Sequence, residues 1–123
     1  MGVDAVGALL LISDDAARLA DFYRAALGFP LVDEVHDGVP VHYGCEIGGV
    51  HFAIHPSADW PGEPAPNGQS PVLVFFTADV DAAYQRLVDN GVQATPPFDH
   101  GFATLTAFRD PDGNNIQLMT PAE

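Results

Sequence analysis

The chain has 123 residues and a mass of 13.0 kDa, the size of one ordinary domain. Apolar residues make up 47%, enough for a buried core, which excludes a disordered chain. Asp and Glu number 17 against 4 arginines and no lysine, a net charge of −13. A field of that sign repels phosphate backbones and anionic lipid, and so argues against nucleic-acid and membrane-surface roles. It disfavours an anionic substrate unless a metal or a focused arginine reverses the sign locally. Cys45 is the single cysteine, which leaves no internal disulfide and no cysteine-based zinc site. The apolar run within residues 1–12 lacks a basic leader and is too short to span a bilayer, so a cytoplasmic location is expected. Thirteen of the acids are Asp, a bias that fits either a GC-rich or a salt-adapted source.

Along the chain, Ala8 to Ile12 is a short apolar run that predicts a buried strand. Ser13, Asp14 and Asp15 follow as helix-capping residues. Ala16, Leu19, Ala20, Tyr23, Ala26 and Leu27 then recur at helical spacing, with Gly28 where a left-handed cap belongs. Two strands are expected around the turn Gly48-Gly49, the second running from Val50 to His55. Pro56 to Pro71, with Pro61, Pro64 and Pro66 inside it, reads as a linker or lid. The pattern then restarts. Val72 to Phe76 is apolar, Asp79 caps, and Val80, Ala83, Tyr84, Leu87 and Val88 form a stripe that stops at Asn90-Gly91. A strand from Phe102 to Phe108 and another from Asn114 to Met119 flank Asp112-Gly113.

The halves match at an offset of about 64 residues, setting Asp15 on Asp79 and Gly49 on Gly113. Each half reads strand, helix, then about three strands. The expected class is α+β: two βαβββ modules forming a cupped mixed sheet with helices outside. A single domain would hold module one over about residues 6–56, the linker over 57–70 and module two over about 71–120.

Two stretches carry a family resemblance. One runs from Ile12-Ser13-Asp14-Asp15 through Phe22-Tyr23 to Leu27-Gly28-Phe29, and the other from Phe108-Arg109-Asp110-Pro111-Asp112-Gly113-Asn114-Asn115 to Ile116-Gln117-Leu118. With these the sequence resembles the vicinal oxygen chelate superfamily, which includes glyoxalase, bleomycin-resistance proteins and extradiol dioxygenases. The resemblance implies the paired-module fold and a homodimer. In metal-using relatives the first and last strands of each module present His, Glu or Gln. Those positions fall here on Ala8, Ala53, Val72 and Gln117. Alanine and valine ligate nothing, and one amide does not repay a divalent ion for its lost hydration. No family metal centre and no other cofactor are therefore expected, and Gln117 reads as a polar residue lining a wet cavity.

A second polar cluster comes from strand register. With Gly48-Gly49 as a two-residue turn, Glu46 lies opposite His51, Gly44 opposite Ala53, and His42 opposite His55. Alternation puts Tyr43, Cys45, Ile47, Val50, Phe52 and Ile54 on one face, toward the helices. The other face carries His42, Glu46, His51 and His55 around Gly44 and Ala53, with Glu46 the one acid expected there. His51 and His55 stand about 13 Å apart along a strand, too far to share an ion, whereas His42 with His55 or Glu46 with His51 can pair across strands. Three readings stay open: a hydrated polar wall, a ligand-binding or acid–base site, and a relocated divalent-metal site.

Ala8, Leu10, Ile12, Val72, Val74 and Phe76 are expected to line an apolar cavity, with Asn115, Gln117 and Met119 from the last strand. Trp60 in the linker is either an aromatic lid or a residue packing the linker down. His100 is expected on an exposed loop, Cys45 as a small hydrophobe, Tyr43 and Tyr84 as core aromatics, and Arg109 as a brace for the terminal hairpin. The function this supports is binding or sequestration of a small, partly apolar organic molecule without a metal. The rival is an enzyme, a lyase, isomerase or dioxygenase, with a non-standard metal or with His51 and Glu46 moving a proton.

Overall fold

The computed structural model describes residues 2–35, 41–59 and 71–123. Internal contacts divide the chain into two compact units, each built around a four-stranded mixed sheet. In the first, β1 (Ala8–Ser13) leads into α1 (Ala16–Leu27), followed by β2 (Val32–Glu34), β3 (His42–Ile47) and β4 (Val50–Pro56). The sheet order is β1-β4-β3-β2, with β1 parallel to β4 and the other pairs antiparallel. Asp15 caps α1 by accepting from the Arg18 amide at 3.1 Å, and Ser13 Oγ accepts from the Asp15 amide at 3.1 Å. Gly28, at φ 71°, closes the helix by returning its N–H to the Arg24 carbonyl. The predicted stripe is the buried one: Ala16, Leu19, Ala20, Tyr23 and Ala26 are all out of solvent.

The Gly48-Gly49 turn has φ values of 57° and 84°, both positive as a type I′ turn requires. It sets the expected register, Ile47 with Val50, Glu46 with His51 and Gly44 with Ala53. Phe52 and Ile54 are buried on the helix side, where the Phe52 ring stands 5.1 Å from Tyr23 and 5.1 Å from Phe29. Tyr43 shares that face but is half-buried, with the Arg24 guanidinium 5.3 Å above its ring. Tyr84 is half-buried as well. Neither tyrosine is a core residue as the sequence predicts, because each keeps part of its ring at the surface.

The second unit repeats the plan with β5 (Leu73–Phe76), α2 (Val80–Asp89), β6 (Phe98–Asp99), β7 (Ala103–Arg109) and β8 (Asn115–Pro121), in sheet order β5-β8-β7-β6. Asp79 caps α2 through the Ala82 amide at 3.1 Å. The Thr120 hydroxyl accepts from the Val80 amide and donates to the Thr77 carbonyl, tying β8 to the helix start. Leu73, Phe75, Thr106, Phe108, Ile116 and Leu118 make the buried face. Thr106 keeps its hydroxyl satisfied there by donating to the Thr95 carbonyl at 2.6 Å.

The terminal hairpin is braced by a different residue from the one expected. Arg109 is exposed, and no side-chain hydrogen bond or ion pair joins it to the described residues. Asp110, only 5% exposed, accepts from the amides of Asp112 and Asn114 and from Asn114 Nδ2 at 2.9–3.0 Å. A short carboxylate at the first turn position folds back on the turn's own amides, which a long cationic side chain cannot do. His100 is exposed, as expected, between the rings of Phe98 and Phe102. Among the described residues no helix is long and apolar enough to cross a membrane.

Candidate functional site

The sheet of the first unit brings four of the sequence-identified residues together. His42 on β3 and His55 on β4 stack with ring centroids 4.3 Å apart and planes 11° from parallel. Beside them on the same two strands, His51 Nδ1 lies 3.1 Å from Glu46 Oε1. Both contacts follow from the register that the two-glycine turn imposes. His42 is buried, His51 half-buried, and Glu46 the most open of the group at 67% side-chain exposure.

Between the two pairs sits a residue that the sequence analysis leaves out. Glu34 ends β2 and pairs with His42, while Val32 pairs with Gly44. Its carboxylate reaches over the Gly44 backbone: a Cβ at that position would lie 1.7 Å from Glu34 Oε1. Glu34 Oε2 is 3.7 Å from His42 Nε2, and Oε1 is 3.6 Å from His51 Nε2. The expectation that Glu46 is the one acid on this face is therefore corrected. The physical reason is the missing side chain at residue 44, which opens room for the neighbouring strand's carboxylate. A glycine in mid-strand is the one sequence signal for such a close approach. Seven residues separate β2 from β3 in the sequence, too many for a register to be counted across them, so the identity of the approaching group stays hidden.

Ala8 and Ala53 lie on this same face, since Ala8 pairs with His51 and Ala53 with both Leu10 and Gly44. In the second unit Val74 pairs with Gln117, Phe76 with Met119, and Arg109 with Asn115. That face is open and apolar around the half-buried Gln117, with Phe76 74% exposed. Trp60 lies outside the described residues.

Cys45 points away from the polar wall, with the apolar set of β3. Burial pushes its thiol above the ordinary value, and the negative charges of Glu46 and Glu34 push it the same way. Among the described residues no group of three or more His, Cys, Asp or Glu is arranged to hold a metal ion. The four positions that the family resemblance assigns to a metal are, by residue type, three hydrocarbon side chains and the Gln117 amide. That set does not fit a divalent ion.

The family model described as "Glyoxalase/Bleomycin resistance protein/Dioxygenase superfamily" matches residues 5–118. The chain belongs to that superfamily. No curated protein matches the sequence. Among solved structures, TnmS3, an antibiotic binding protein from Streptomyces sp. CB03234, is similar at 27% identity over 99% of each chain, with a TM-score of 0.76. A member of the same superfamily from Sphaerobacter thermophilus is similar at 27% identity over 98% of this chain and 99% of its own, also at 0.76. Virulence protein STM3117 from Salmonella typhimurium shares the fold, at 22% identity over 99% of this chain and 100% of its own, with a TM-score of 0.78.

Proposed function

We propose that this member of the superfamily binds a small, partly apolar organic molecule and does so without the metal centre of its metal-using relatives. The observation that carries the reading is the residue set Ala8, Ala53, Val72 and Gln117, which cannot repay a divalent ion's hydration. The similarity to an antibiotic binding protein supports it. So does the character of the two sheet faces. One offers His42, Glu46, His51 and His55 around Gly44 and Ala53, and the other offers Phe76 and Met119 beside Asn115 and Gln117. Apolar surface with a few placed polar groups suits an organic ligand. A cytoplasmic location and a homodimer belong to the same reading.

The reading is tested on protein purified without chelators or a histidine tag. Elemental analysis is expected to give well under one divalent ion per chain, and a panel of partly apolar antibiotics is expected to include members that raise the melting temperature. A stoichiometric metal that disappears when His42, His51 or His55 is replaced overturns it.

One contact favours a second reading, acid–base catalysis: the 3.1 Å approach of His51 Nδ1 to Glu46 Oε1 orients the ring as a proton carrier. Turnover of a bound compound that is abolished by His51→Ala and reduced by Glu46→Gln decides in its favour.

A further inference from the structure

Cross-strand register gives the open face of the second unit a direction. Met119 on β8 pairs with Phe76 on β5 and with Leu105 on β7, and Leu105 pairs in turn with Phe98 on β6. These residues make one apolar row across the whole sheet, about 14 Å wide at the usual strand spacing. Phe76 and Phe98, at its two ends, are 74% and 65% exposed. The next row is Val74, Gln117 and Ala107, and beyond it Asn115 pairs with Arg109. From Leu105 to Arg109 along β7 the face passes from hydrocarbon to guanidinium over about 13 Å.

Arg109 supplies the one charge among the described strand residues of this face. It is exposed, and no carboxylate of the described residues pairs with it. The carboxylate nearest in sequence, that of Asp110, is taken up by the amides of its own turn. Arg24 and Arg86, by contrast, are held by Asp33 and by the Ala25 carbonyl. A guanidinium stays charged at every working pH. In a chain of net charge −13, an arginine left open at the end of an apolar face is the local reversal of sign that an anion needs.

We propose that the open face of the second unit binds an amphipathic organic carboxylate. Arg109 takes the carboxylate, with the Asn115 and Gln117 amides beside it as further donors, and the apolar body lies over Phe76, Met119 and Leu105. A guanidinium grips a carboxylate through two parallel N–H bonds, and the apolar row withdraws hydrocarbon from water. A cationic head group would meet like charge at Arg109, and a wholly apolar molecule would leave the polar end unused. This inference rests on the ligand-binding reading above and names the chemistry of both ends of the ligand.

Octanoate and octanol test it, since they share the length of their chain and differ in a carboxylate against a hydroxyl. Titrated by amide NMR at physiological ionic strength, where remote charges are screened, the wild-type chain is expected to bind octanoate about fivefold more tightly. That is the upper end of what an exposed ion pair yields. The overall negative charge works against this preference and so cannot create it. Arg109→Gln is expected to bring the two affinities together. Arg18→Gln removes the same charge from an exposed position in the first unit and is expected to keep the gap. Phe76→Ala is expected to weaken both probes alike. Melting curves establish that each variant is folded. Equal binding of both probes to the wild type, a gap that survives Arg109→Gln, or one lost equally in Arg18→Gln overturns the proposal and leaves the ligand-binding reading standing. Unchanged binding in Phe76→Ala places the apolar body elsewhere and overturns it too. Binding that disappears as the chain dimerises gives the face to a second copy, against the proposal. Binding of neither probe also overturns it, and the ligand-binding reading falls as well only when the antibiotic panel raises no melting temperature.

Discussion

Residue 44 decides what happens on both sides of β3. Having no Cβ, Gly44 lets the Glu34 carboxylate lie against the sheet between two imidazoles. The next residue, Cys45, points the other way, yet the negative charges of Glu34 and Glu46 still act on it. Burial comes first and those charges second in holding its thiol protonated. Thiolate is the reactive form, so Cys45 is expected to react with iodoacetamide more slowly in the native chain than in urea at the same mildly alkaline pH, and faster in native Glu46→Gln than in the wild type. Equal rates in native and unfolded protein would refute the raised value. The linkage has a definite sign. A thiol whose folded value is raised contributes stability that is complete below the ordinary thiol range and is lost as the pH climbs through the folded value.

At the scale of elements, turns do much of the specifying. The two-glycine turn between β3 and β4 fixes which residues stand opposite one another, and a slip of β4 by one residue would send His51 and His55 into the apolar helix-facing layer, away from His42 and Glu46. The turn between β7 and β8 is held instead by a side chain. Asp110 is buried and receives three hydrogen bonds from within its own turn. Removing the carboxylate strands two backbone donors, a cost of about 1–3 kcal/mol. Asp110→Ala is expected to lower urea stability by that amount without changing the m-value, whereas Asp110→Asn keeps one acceptor oxygen and is expected to lose about half as much. An unchanged midpoint in Asp110→Ala would mean that the turn's backbone closes without the carboxylate. Both hairpins were legible in the sequence, one from a glycine pair and the other from an Asp-Pro-Asp-Gly run. The brace was not: a charged side chain next to a turn declares its partners only once the loop geometry sets which amides it can reach.

For the whole molecule, charge and apolar exposure pull in opposite directions. The net charge of −13 keeps copies apart at low salt, while Val72, Val74, Phe76 and Phe98 present apolar surface in the second unit. The proposed homodimer covers such surface, and salt weakens the repulsion that opposes it. Light scattering is expected to give twice the 13.0 kDa chain mass, with dimer favoured as salt is raised. A mass of one chain at all salt and micromolar concentrations would rule the dimer out.

By itself the sequence determined the two βαβββ units, the capped helices, the β3–β4 register and the pairing of His42 with His55 and Glu46 with His51. All of these depend on periodicities and turns that act over a few residues. The tertiary structure alone decided that Glu34 completes the wall, that Asp110 rather than Arg109 holds the last turn, and that Tyr43 and Tyr84 stay partly exposed. Those outcomes depend on which strand lies beside which and where a missing side chain leaves room. Such distances are set by packing, and no local pattern of residue types encodes them.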